Sequence, residues 1–291
     1  MGKINPRVDL AFKKIFGVEE NKDLLISLIN SIVGVEDQVV DVTLLNPYNQ
    51  KNFKKDKLSI LDIKAEGSNG KKFNIEIQIT DEADYNKRAL YYWAKLYTDQ
   101  LKESEDYSNL NKVIGIHILN FTSIPRAKKY HNVFHITEKE TGQLYFKDLE
   151  LHTIELRKFT DQIGKHGEIV TKIQGALDMW SAFLTRHELL NKENLTKKLG
   201  SPELEKAMHV LEVMNFTEEE REAYEDHLKW LRIETNSLKK AEDKGRQEGR
   251  QEGRQEEKHQ IALALLKQGL DPGQISKATG LAEKEILSLQ N

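Results

Sequence analysis

Between Leu58 and Thr80 the sequence LSILDIKAEGSNGKKFNIEIQIT alternates apolar and polar residues on either side of Ser68-Asn69-Gly70. Alternation of period two broken by a turn-forming triplet predicts a β-hairpin. With the turn centred on Asn69, residues equidistant from it face each other. Ala65 then pairs with Phe73, Ile63 with Ile75, Leu61 with Ile77 and Ser59 with Ile79, giving an apolar face to pack on helices. The other face is polar: Asp62 lies opposite Glu76, Lys64 opposite Asn74 and Ile60 opposite Gln78.

The elements around the hairpin follow from their own patterns. Asn5-Pro6 predicts a helix start, with Val8, Phe12, Ile15 and Phe16 on one face. Leu24, Leu25, Leu28, Ile29 and Ile32 mark a core helix that Gly34 stops, and Val39 to Leu45 alternates as a strand. After the hairpin a helix is predicted from about Asp84 to Lys102, and then NKVIGIHILN, Asn111 to Asn120, reads as a strand buried on both faces. A strand arriving after a helix implies a crossover connection. Shorter β-prone pieces follow at Val133 to Thr137, Gln143 to Phe146 and Leu149 to Leu156. His117, His131, His135 and His152 fall in this region without the helical pairing a zinc site needs, and read as core-edge or surface histidines.

From Phe159 onward the pattern turns helical, over Lys172 to Thr185, Glu203 to Met214 and Glu218 to Leu231. Ser201-Pro202 opens one of these helices, and Thr217-Glu-Glu-Glu220 is a capping box ahead of another. A four-residue repeat, Gly-Arg-Gln-Glu, then occurs three times from Gly245 to Glu256. It reads either as a helix whose glycine stripe packs on a second copy or as a charged linker. Two short helices joined at Thr279-Gly280-Leu281 resemble a helix-turn-helix, although Glu283, Lys284 and Glu285 give the second no basic face. The expected division is a core over 1–158, a helical region over 159–236, the charged repeat over 237–258 and a small helical module over 259–291.

Composition narrows the function classes. No apolar run reaches the ~20 residues that a membrane helix needs, and the N-terminus has no signal-like apolar segment, so a cytoplasmic location is expected. The absence of cysteine excludes disulfides, thiolate zinc sites and cysteine nucleophiles. A formal charge of −3 means that any nucleic acid is met by a local patch, not by a basic surface overall.

The chemistry gathers on the hairpin's polar face. Two carboxylates directly across a strand pair repel, which suggests a cation between them; a solvated hairpin face is the alternative. Asp62, the turn, and Glu76-Ile77-Gln78 resemble the core of the PD-(D/E)xK nucleases in the variant where Gln replaces Lys. With Asp9-Leu-Ala-Phe12-Lys13-Lys14-Ile-Phe16-Gly17 and Arg88-Ala-Leu-Tyr91-Tyr92-Trp93, the first half of the chain resembles the recombination-promoting nuclease and transposase-like (Rpn) family.

That resemblance implies an α/β, restriction-endonuclease-like core, a mixed sheet flanked by helices, with a helical C-terminal extension. It further implies a metal-dependent DNA endonuclease in which Asp62, Glu76 and the Ile77 carbonyl hold Mg²⁺ or another divalent cation. Gln78 would position the attacking water, and Asp9 would point toward the acids. An amide brings no positive charge, so Lys64, or Lys13 in competition with it, would stand in for the missing lysine. Lys13, Arg88 and Tyr92 are the candidates for contact with DNA, and the repeat is the candidate for homo-oligomer formation. The alternative reading is a weakly active or inactive DNA-binding, oligomeric interaction protein.

Overall fold

The computed structural model describes residues 4–48, 62–163, 173–190 and 201–289. They fall into two compact units, Met1–Leu231 and Arg232–Asn291.

The first unit is organised by a six-stranded mixed sheet. Its strands are β1 (Val42–Leu44), β2 (Ile63–Gly67), β3 (Lys72–Gln78), β4 (Val113–Leu119), β5 (His131–Thr137) and β6 (Leu144–Glu155), in the order β1-β2-β3-β4-β6-β5. The hairpin forms in the predicted register, with Ile63 opposite Ile75, Lys64 opposite Asn74 and Ala65 opposite Phe73. Gly70 takes the left-handed conformation, φ 79°, that its turn requires. The predicted partners Ser59, Ile60 and Leu61 lie outside the described residues. The pieces expected at Gln143 to Phe146 and Leu149 to Leu156 are one strand, β6, in which Lys147 and Asp148 fall where the register against β5 shifts between Phe134 and Ile136.

Nine helices accompany the described strands. They are α1 (Asp9–Phe16), α2 (Lys22–Ile32), α3 (Tyr85–Thr98), α4 (Leu156–Ile163), α5 (Ala176–Arg186), α6 (Pro202–Val213), α7 (Glu218–Lys267), α8 (Pro272–Thr279) and α9 (Glu283–Ser288). The first helix begins three residues after Pro6. Asn5 accepts from the Arg7 amide at 3.0 Å, closing a local turn instead of capping the helix, and Val8 is the flanking residue.

β3 pairs antiparallel with β2 and parallel with β4, and α3 makes the crossover between the parallel strands. β4 is buried at all seven positions, as its unbroken apolar run predicted. One sheet face, with Ile63, Ala65, Phe73, Ile75, Ile77, Ile114, Ile116 and Ile118, joins Phe12, Phe16, Leu25, Leu28, Trp180, Phe183, Leu204 and Leu211 in one core. Helices α5 and α6 thus complete the core of the first unit. Each such aliphatic side chain contributes about 1.5–3 kcal/mol on burial. The opposite face packs on α3 through Tyr85, Ala89, Trp93 and Leu96, and it carries the polar residues of the hairpin.

The capping box ahead of α7 forms: the Thr217 amide donates to Glu220 Oε2 at 2.8 Å, and the Glu220 amide to Thr217 Oγ1 at 3.3 Å. In the second unit the repeat is helical, and a Cβ added at Gly245, Gly249 or Gly253 would meet no atom within 4 Å among the described residues. Asp271 caps α8 by accepting from the Gly273 amide at 2.9 Å, and Gly280 ends it with φ 72°. Ala262, Ile275, Leu281 and Ile286 form this unit's own small core.

Candidate active site

The strand period places Glu76 and Gln78 on the same face of β3, toward α3. Asp62 precedes β2 by one residue, so the antiparallel register sets it across from Glu76. Asp9 enters from the first turn of α1. The charges of both Asp62 and Asp9 act on Glu76, so each of the two lies within electrostatic reach of it.

Burial pushes the Glu76 carboxyl up to about 7; the Arg88 guanidinium opposes this, and Asp62, Asp9 and Glu82 add to it. Arg88, from the first turn of α3, is the local counter-ion. Its Nη2 lies 3.2 Å from Glu76 Oε1 and donates to Gln78 Oε1 at 2.6 Å, while Nη1 reaches Glu82 Oε2 at 2.8 Å. Gln78 also donates from Nε2 to the Thr80 carbonyl at 3.1 Å. Arg88, expected to face DNA phosphate, is therefore engaged by the acids and the amide, since three oxygens within reach outcompete water for one guanidinium.

The two candidate lysines differ sharply in placement. Lys13 is 0% exposed and donates to the Asn46 carbonyl at 2.7 Å and the Asp62 carbonyl at 2.5 Å. Burial lowers its pKa to about 8, against the pull of Asp62. It meets backbone there, not solvent, and so pins the strand entrance that presents Asp62. Lys64 is partly exposed, with Nζ 3.5 Å from Asp62 Oδ2 and 5.8 Å from the centre of the Tyr92 ring. Tyr92 is thereby placed beside the acids through Lys64. Ile77 sits buried opposite Ile118 of β4, its side chain in the core.

Several residues of the site carried no sequence signal that singled them out. His117, opposite Glu76 on β4, is fully buried, not at an edge or surface, with Nδ1 4.0 Å from Glu76 Oε2. Burial lowers its pKa to about 4, so the imidazole is neutral. Glu82 lies one loop beyond Gln78, and His227 of α7 stands 3.4 Å from Asp9 Oδ2, which raises the His227 pKa. Asn46 accepts from the Lys64 amide at 2.7 Å and donates to the Asp62 carbonyl at 3.1 Å. The Asn46-Pro47 turn was legible, but not this cross-strand role.

Among the described residues no three or more His, Cys, Asp or Glu side chains are grouped so that they could hold a metal ion together. The donor set nevertheless fits a hard cation. Glu76 Oε2 and Asp9 Oδ1 are buried carboxylate oxygens with no hydrogen-bond partner among the described residues. A buried acceptor left unpaired is costly, and carboxylate oxygens are the ligands Mg²⁺ and its relatives prefer.

Two family models match the chain. Residues 255–291 match the Rpn/YhgA-like nuclease family, C-terminal HTH domain, the region of α8 and α9. Searches of curated proteins and of solved structures return no match. Residues 6–241 match the PD-(D/E)XK nuclease family transposase. That match spans most of the chain, including every acid of the site, and the chain belongs to the PD-(D/E)XK nuclease family of transposases.

Proposed function

We propose that the protein is a divalent-metal-dependent DNA endonuclease that hydrolyses phosphodiester bonds. The observation that carries this reading is the pair of buried, unpartnered carboxylate oxygens of Glu76 and Asp9 beside Asp62. Asp62, Glu76 and the Ile77 carbonyl would hold the cation, with Asp9 completing the negative field. When bound, a divalent cation supplies Lewis-acid polarisation of the phosphate and acidifies a bound water.

The chain's own residues supply the rest. Gln78 orients the attacking water by hydrogen bonding but adds no charge to the developing transition state. Lys64 brings that charge, since its ammonium already lies within 4 Å of Asp62. Arg88 partly offsets the charge of Glu76 when no cation is present, and His117, neutral and buried, covers the acid on the β4 side. The C-terminal helices, which match a helix-turn-helix domain, would add a further contact to DNA.

The test is calorimetric titration of Mg²⁺ and Mn²⁺ into the parent protein and Asp62→Ala, with plasmid cleavage by the parent and Glu76→Gln. Heat and cleavage seen in the parent alone support the reading. The second reading, a DNA-binding protein with little catalytic power, is favoured by one observation: Arg88 already occupies Glu76 and Gln78 together. DNA binding without cation heat or cleavage would select it.

A further inference from the structure

The outward face of α3 is not used by the mechanism above. Lys87, Tyr91 and Lys95 follow one another at i, i+4 and i+8, which places an aromatic ring between two ammonium groups on one stripe, with Cβ atoms about 5–6 Å apart at each step. Tyr91 is 62% exposed and Leu90 beside it 49% exposed. Single exposed apolar residues need no explanation, but these two are contiguous and framed by cations. The Tyr91 ring meets Tyr92 edge-on at 5.5 Å, Tyr92 supports Lys64, and Lys64 touches Asp62. The face therefore runs into the acid cluster through a chain of contacts. Its acid neighbour, Asp84, holds Lys87 only through an exposed pair at 3.4 Å, the kind that contributes little and exchanges readily with phosphate.

We propose that this face is a stacking platform for unpaired nucleobases, so that the protein takes DNA with a single-stranded segment beside the scissile bond. This rests on the endonuclease reading for its location, not for its test. Tyr91 offers a ring that every base stacks on regardless of sequence, and Lys87 and Lys95 take the phosphates on either side. Duplex DNA keeps its bases stacked inside and gains nothing from the ring.

The experiment is fluorescence anisotropy of the full chain in EDTA with a labelled oligo-dT strand and, separately, a blunt duplex of the same length. Tyr91→Ala is expected to lower affinity for the single strand about tenfold and leave the duplex unchanged, while Tyr91→Phe keeps parental affinity for both. Lys87→Met with Lys95→Met is expected to flatten the salt dependence of single-strand binding. The proposal is overturned if Tyr91→Ala binds the single strand as the parent does, or if it weakens both DNAs equally. Because no cation is present, absence of cleavage activity would leave these outcomes unaltered.

Discussion

Arg88 and Glu76 face each other at 3.2 Å across the gap between α3 and β3, and the nitrogen that makes this contact is also the one that holds Gln78. One guanidinium group thus sets the resting charge of the acid and the orientation of the amide. Because the arginine contact is partly solvated, it offsets only part of what burial does to Glu76.

The pH dependence of stability follows from that balance. Glu76 is raised from its ordinary 4.5 to about 7, so between these values the folded protein binds more protons than the unfolded chain, and stability falls as pH rises. Glu76→Gln removes this loss. In metal-free protein the variant should match the parent near pH 5 and exceed it at pH 8, by up to about 3 kcal/mol. Urea unfolding at the two pH values measures the difference, and the same variant should fail to cut plasmid DNA.

Lys64 and Lys13 should separate cleanly. Lys64→Met is expected to cut turnover about 10²-fold with little change in DNA affinity, as for a contact made mainly in the transition state. Gln78→Lys should restore part of that loss. Lys13→Met removes the ammonium donor from the Asn46 and Asp62 carbonyls, so it should lower the unfolding free energy instead, by about 1–3 kcal/mol. Single-turnover cleavage and chemical denaturation distinguish the two effects.

Glu220 is buried and accepts from the Thr217 amide at 2.8 Å, from Lys14 at 3.0 Å and from the Tyr48 hydroxyl. Removing one partner of a buried charged network is severe. Glu220→Ala should destabilise the first unit by about 3–5 kcal/mol, whereas Glu218→Ala, on the exposed side of the same turn, should cost little. Thermal unfolding of the two variants makes the comparison.

The glycine stripe of the repeat gives a test of assembly. A helix that keeps Gly at every fourth position forgoes about 1 kcal/mol per residue relative to Ala, a loss that close packing of a second helix would offset. A chain ending at Lys244 is therefore expected to show a smaller assembly by light scattering than the full chain. Equal masses would leave the repeat as a lone charged helix.

The fold was legible where a local pattern decided it. Alternation about Asn69 gave the register of Ile63 with Ile75, and the unbroken apolar run through Ile116 gave a strand buried on both faces. Hairpin parity and a motif both pointed to Asp62 and Glu76, whereas Asp9 was pointed to by the motif alone. The burial of Lys13 was not legible: a lysine next to Lys14 on a short helix reads as solvated, and only Asn46 and Asp62, distant in sequence, make its burial tolerable. His117 and His227 were missed for the same reason, since their partners come from other elements. The start of α1 was misplaced because Asn5 closes a turn with Arg7, a use of Asn as common as capping.

The mixed pairing of β3 bears on how the chain folds. Its antiparallel partner β2 is reached through a turn of a few residues, whereas its parallel partner β4 must wait for the whole of α3 to cross over. Short loops close in microseconds or less, and nonlocal strands are slow. Asp62 and Glu76 therefore belong to a local closure that needs no crossover, whereas β4 joins β3 only by way of α3. Like-charge repulsion between the two acids falls on that local pairing, and protons or salt that screen it are expected to speed its closure.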